Sequence, residues 1–105
     1  MVEFHESDRG DGVSVVAVEG DFDLAVVDEF LRRVLDCLDR ADAVEIDLHR
    51  VSFIDSSGLG ALVRVRKEAT ARDKSLSLVN VSASTHRLLE ITGLHHAFDL
   101  RPKQA

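Results

Sequence analysis

Val44, Ile46 and Leu48 alternate with Glu45, Asp47 and His49, a period of two that predicts a strand with one buried and one solvated face. "KSLSLVNV" repeats that alternation further on. Near the amino terminus "VEFHE" and the β-branched "VSVVAVEG" flank the turn cluster "DRGDG", which predicts a hairpin of two antiparallel strands. From Leu24 to Arg40 the period lengthens to that of a helix. Val27, Phe30, Leu31, Val34, Leu35 and Leu38 take one face, and Asp28, Glu29, Arg32, Arg33, Asp36 and Asp39 the other. Asp23 stands where this helix needs an N-cap, and Asp28 and Glu29 lie near the positive end of its dipole. A second helix, with Leu59, Leu62, Val63 and Ala69 inward and Arg64, Lys67 and Glu68 outward, runs to about Ala71. A third follows a cap at Ser82 or Ser84, carries Leu88, Leu89 and Ile91, and stops at Gly93, with Leu94 folding back on Leu89. "AFDL" adds a short last strand.

The predicted order is β-β-α-β-α-β-α-β, an α/β pattern in which each strand after the hairpin is bridged to the next by a helix and therefore runs parallel to it. Parallel strands covered on both faces read as unbroken apolar runs, whereas "VEIDLH" and "SLSL" alternate. Helices are thus expected mainly on one face of a four- to five-stranded, mostly parallel sheet with an antiparallel N-terminal hairpin. Right-handed crossovers keep helices on one face only if each new strand is laid beside the last in the same direction. Such a sheet has no strand-order reversal, and so no crevice of the dinucleotide-binding kind.

Length bounds the chain to a single domain: 105 residues suffice for one core and not for two. With 45% hydrophobic and 30% charged residues it reads as an ordinary globular protein. "MVEFHESD" lacks the basic flank and apolar run of a signal peptide, and no segment is long enough to span a bilayer, so a cytoplasmic location and no membrane partner are expected. Net charge is -6, with bases scattered rather than massed, which argues against nucleic acid and for a basic or mixed protein surface as partner. Cys37 is the lone cysteine; it rules out a disulfide within the chain or a four-thiolate metal site and is expected as an inert, buried thiol. The tail "RPKQA", 101–105, is expected to be flexible, leaving a core of about 2–100.

Candidate chemistry concentrates in "VSFIDSSGLGALV", 51–63, where an acid, two serines and a glycine separate two apolar runs. In a β-α unit this segment leaves the carboxyl end of a strand and opens the next helix. One reading is a cap: Asp55 or a serine accepts the free amide hydrogens and Gly58 permits close packing. The other is a site, because one cap needs one side chain and here three polar ones stand together. A hydrolase elbow, G-x-S-x-G, would need a glycine two positions before Ser56, where Ile54 stands. None of the five histidines has a spacing that sets it beside Ser56 or Ser57. His95 and His96 are adjacent, so they diverge and make no metal motif; a surface position after a helix end is expected. "GLG" matches neither the dinucleotide fingerprint nor the P-loop. No enzyme, no metal and no cofactor are expected.

"VSFIDSSGLGALV", together with "GDFD" at 20–23 and "LLEITGLHHAF" at 88–98, resembles the STAS-domain family of bacterial anti-anti-sigma factors, the anti-sigma factor antagonists of partner-switching modules. The likeness covers Val2 to about Leu100. It implies a non-enzymatic switch protein, with the first serine of the segment, Ser56, phosphorylated by an anti-sigma factor that is an ATP-dependent serine kinase and restored by a metal-dependent serine phosphatase. The partner-binding surface it implies is Asp21, Asp23, Asp55, Ser56, Ser57, Gly58 and Leu59. The family's G-E-L-D stands here as Gly20-Asp21-Phe22-Asp23, which keeps the charge and the final acid. Asp23 is expected to be at least partly structural, and Asp55 to cap the helix or orient the serine hydroxyl. Two alternatives remain open at this stage: a STAS protein docking a different partner, such as a subunit of a transport system, and a small-ligand or nucleotide sensor that binds phosphate at the helix amino terminus.

Overall fold

Strand pairing begins with β1 (Glu3–Asp8), which lies antiparallel to β2 (Val13–Phe22) in a register that sets Glu3 opposite Glu19 and His5 opposite Ala17. The coordinates are a computed structural model that describes residues 2–102. Every later pairing is parallel: β2 with β3 (Ala43–Ile54), β3 with β4 (Ser75–Val81), and β4 with β5 (Asp99–Pro102). The sheet order is β1-β2-β3-β4-β5. Helices α1 (Val27–Arg40), α2 (Ser56–Ala71) and α3 (Ala83–Ile91) make the three crossovers. Because the strands advance in one direction, right-handed crossovers put all three helices on one face.

The alternation decides which face that is. Val44, Ile46 and Leu48 are buried in β3, as are Val16 and Val18 in β2 and Leu78 in β4, beneath Phe30, Val34 and Leu38 of α1 and Leu59, Leu62 and Val65 of α2. Burying each such side chain contributes about 1.5–3 kcal/mol, so this one layer supplies most of the drive to fold. Phe22 and Phe30 meet with ring centroids 4.7 Å apart, tying the end of β2 to α1. On the opposite face Asp47 is half-buried and His49 exposed. Glu45 departs from the expected wet face: it is buried because Arg9 and Arg101 close over it, both donating to Oε2, at 2.7 and 2.6 Å.

Several element ends differ from expectation. The helix predicted from Leu24 begins as a 3-10 turn, Leu24–Val26, and becomes α-helical only at Val27. Asp23 caps that turn by accepting from the Ala25 amide (3.0 Å), and Val26, at the start of α1, makes no side-chain cap. In α2 the buried positions include Ala61 and Val65, while Val63 is only half-buried. Ser82, not Ser84, caps α3, accepting from the Thr85 amide at 3.2 Å. Gly93 adopts φ +75 after α3, a conformation glycine takes without strain, and its amide donates to the Glu90 carbonyl. The chain then makes a second 3-10 turn, Leu94–Ala97, before β5. β5 starts two residues later than the predicted "AFDL" strand and takes in Arg101 and Pro102, the start of the expected flexible tail; residues 103–105 lie outside the described residues.

Candidate functional site

β3 runs through "VSFI" to Ile54, further than its alternating part foretold, because β2 continues beside it: Gly20 pairs with Val51, Asp21 with Phe53 and Phe22 with Ile54. Both strands end at one edge of the sheet. The residue after Ile54 is Asp55, and its amide donates to the Phe22 carbonyl at 3.3 Å. The Asp21–Asp23 segment and the Asp55–Ser57 segment are therefore neighbours by strand register.

Asp55 is the N-cap of α2. Its Oδ1 accepts from the Gly58 amide at 3.0 Å, and its carbonyl accepts the first helical bond from Leu59. The hydrogen bond of the Asp55 carboxylate thus goes to the backbone, the capping role, rather than to a serine hydroxyl. A helix start leaves four amides without helical partners. Here Phe22 takes that of Asp55 and the Asp55 side chain takes that of Gly58, while the Ser56 and Ser57 amides have no hydrogen-bond acceptor among the described residues. α2 has no acid within its first turn, and the carboxylate at its positive dipole end on its own chain segment is the cap, Asp55.

Burial separates the predicted residues into two groups. Ser56 and Asp21 are exposed, and Ser57, Asp23 and Asp55 are half-buried. Gly58 and Leu59 are buried; they shape the edge from beneath and do not present side chains to a partner. A Cβ on Gly58 would lie 2.6 Å from the Phe22 carbonyl oxygen and 2.8 Å from Ile54 Cγ1. Glycine at that position is what lets α2 start so close to both strand ends.

Sequence reasoning missed two apolar side chains at this edge. Phe53 is 55% exposed and Leu24 72% exposed, the first beside Asp21 in the register and the second directly after Asp23. The signal was available for Phe53: once "VSFI" is read as strand, Ile54 inward requires Phe53 outward. Next to it lies a hollow of about 240 Å³ lined by Val51, Phe53, Ile54, Ser84, Thr85 and Leu88. His95 is half-buried and His96 exposed, on the 3-10 turn after α3, and against expectation their rings do not diverge: the tight turn brings the centroids to 3.8 Å. Cys37 is buried in α1, as expected. No helix among the described residues is long and apolar enough to cross a membrane.

Comparison with known proteins places this arrangement. An anti-sigma-B factor antagonist of Staphylococcus aureus (strain NCTC 8325 / PS 47) is 40% identical over 81 residues, 75% of this chain and 74% of the relative. The crystal structure of an anti-sigma factor antagonist from Mycobacterium paratuberculosis superimposes with a TM-score of 0.85 at 30% identity, covering 97% of this chain and 86% of the other. The Bacillus cell fate determinant SpoIIAA in its phosphorylated form shares the fold at 19% identity, with a TM-score of 0.74 over 96% of this chain and 93% of the other. A profile for the STAS domain matches residues 6–105, and with that match the chain belongs to the STAS domain family.

Proposed function

We propose that this protein is an anti-sigma factor antagonist whose binding edge is switched by phosphorylation of Ser56. In the unmodified state the edge formed by Ser56, Ser57, Asp55 and the Asp21–Asp23 segment, with exposed Phe53 and Leu24 beside it, docks an anti-sigma factor that is also an ATP-dependent serine kinase. That docking frees a sigma factor. The kinase phosphorylates Ser56 and a metal-dependent phosphatase restores it; the antagonist itself catalyses nothing.

One observation carries the proposal: an exposed serine as the first residue of α2, at a capped turn with two amides unpaired among the described residues, and beside two further acids by strand register. A phosphoryl group there adds about -1.5 to -2 charges and three acceptor oxygens. The helix start tolerates a dianion, because amide hydrogens and dipole both favour it. The docking partner does not: a surface that accepts a neutral hydroxyl beside Asp21, Asp23 and Asp55 meets added bulk and added negative charge. A loss of about 4 kcal/mol weakens binding roughly a thousandfold, since about 1.4 kcal/mol is tenfold, and one partly desolvated charge clash is of that size. The name carried by the relative at 40% identity favours this reading over docking to a transport subunit.

The test is to measure binding of the unmodified chain, Ser56→Ala and Ser56→Asp to the cognate kinase, and to take intact mass after incubation with the kinase and ATP. One added phosphoryl group on the 51–63 peptide of the parent, none on Ser56→Ala, and binding retained by Ser56→Ala but lost by Ser56→Asp are expected. Equally tight binding by both variants removes the switch.

A further inference from the structure

On the face of the sheet away from the helices, the hairpin brings together three metal-ligating side chains that are distant in sequence. Glu3 and Glu19 are directly opposite each other in the β1-β2 register, and His5, two residues along β1, projects on the same side. The His5 Nε2 atom lies 3.1 Å from Glu19 Oε2 and 3.6 Å from Glu3 Oε2. One ligand atom from each residue falls within 4.8 Å of the other two. A tetrahedral ion with bonds of about 2.0–2.2 Å holds its ligand atoms about 3.3–3.6 Å apart, so the two separations from His5 already stand near what coordination requires, and the Glu3–Glu19 pair, within 4.8 Å, has at most a small closure to make.

A second observation concerns the neighbouring strand. His5, Glu19, Asp47 and His49 border one hollow of about 330 Å³, floored by Ala17, the small residue that pairs with both His5 and Asp47. His5 and Glu19 thus border a half-open hollow that also holds a second imidazole and a further carboxylate, while Glu3 stands exposed at the outer side of the cluster. Arg50 also borders the hollow and lies 3.7 Å from Glu19 Oε1, which leaves Oε2 directed at His5. Two carboxylates facing each other across a strand pair repel, and a cation between them turns that repulsion into attraction.

We propose that Glu3, His5 and Glu19 form a binding site for a divalent transition metal ion of the zinc class. One imidazole with two carboxylates is a borderline donor set, suited to zinc and its neighbours rather than to calcium, which takes oxygen ligands in greater number. The hollow supplies room for a water as fourth ligand. The ion clamps β1 onto β2 next to Gly20, where the pairing of β2 with β3 shifts register. This site does not depend on Ser56 or on the anti-sigma factor reading.

The experiment uses the untagged full chain, stripped with chelator, and calorimetric titration with zinc sulfate alone at about pH 7. Cobalt(II) serves as a spectroscopic probe of the ligand set. One ion per chain is expected, together with visible d-d bands of a low-coordinate site and no thiolate charge-transfer band from Cys37. His5→Ala and Glu19→Gln should each weaken binding by more than about tenfold, since even outer-shell changes at metal sites cost about 10–100-fold. His86→Ala, which removes the His86–Glu90 pair on α3, should leave it unchanged. Absence of stoichiometric binding by the parent overturns the proposal, and so does parent-like binding by a correctly folded His5→Ala.

Discussion

Gly58 and Gly60 stand two positions apart on α2 under opposite constraints. At Gly58 an added methyl group meets the Phe22 carbonyl and the Ile54 side chain, both held by the sheet, whereas at Gly60 it meets nothing within 4 Å. Gly58→Ala is therefore expected to destabilise by about 1–3 kcal/mol, the usual penalty for overpacking. Gly60→Ala should stabilise by about 0.5–1 kcal/mol by removing glycine's backbone entropy from a helix interior. Urea denaturation of both variants checks the pair of opposite signs. Asp55 adds a third comparison: Asp55→Ala loses the cap on Gly58 and should cost about 1 kcal/mol, while Asp55→Asn keeps it. Cys37 behaves as its surroundings dictate. Burial, then the hydrogen bond its thiol donates to Glu6 and that carboxylate's charge, push its pKa up to about 11 from 9.0. Since the folded state holds the thiol protonated, this contribution is fully present below about pH 9 and is lost as pH rises through about 11. Thiol-specific reagents should react slowly with the native chain at neutral pH and rapidly once it is unfolded.

Glu45 joins three elements at one oxygen: Arg9 follows β1, Arg101 belongs to β5, and Glu45 itself sits in the central strand. The guanidinium of Arg101 is about half exposed, so its pairing with Glu45 should show a coupling of about 0.5–1 kcal/mol in a double-mutant cycle, shrinking in high salt. A coupling indistinguishable from zero at low salt would show that the contact does not pin β5. The alternation at 44–49 foretold the strand and its two faces correctly, yet it could not foretell that a carboxylate on the open face would be buried, because both cations arrive from segments remote in sequence. The same limit hid the grouping of Glu3, His5 and Glu19, which exists only in the register of the hairpin. Errors at element ends have local causes. A single 3-10 turn of three residues is too short for its period of 3.0 to be told from the 3.6 of an α-helix, so the lead-in at Leu24–Val26 merged with α1. "VSFI" carries no clean alternation, and its strand character comes from the continued pairing with β2.

Across the whole domain, charge and strand order together determine what modification at Ser56 can do. The uniform advance from β2 to β5 puts the ends of β2 and β3 side by side, and this much was legible from the alternating strands and the rule of handed crossovers. It gathers Asp21, Asp23 and Asp55 at one edge of a chain whose net charge is already -6. What sequence could not separate was surface from scaffold within "DSSGL", since whether Gly58 and Leu59 face out or in depends on how closely α2 approaches Phe22 and Ile54. The consequence is a prediction about stability rather than binding. An acid at position 56 gains from the amides and dipole of α2, about 0.3–1 kcal/mol for a surface group. It loses a comparable amount to the neighbouring carboxylates, which are exposed or half-buried and screened by water and salt. Ser56→Asp should therefore unfold within about 0.5 kcal/mol of the parent, as surface substitutions do, even though it is expected to abolish partner binding. A fall of more than about 1.5 kcal/mol, outside that surface range, would mean that negative charge acts by loosening the start of α2. Chemical denaturation of the two proteins at low and high salt distinguishes these outcomes, and the salt series matters because only the electrostatic account requires the small remaining difference to vanish as ionic strength rises.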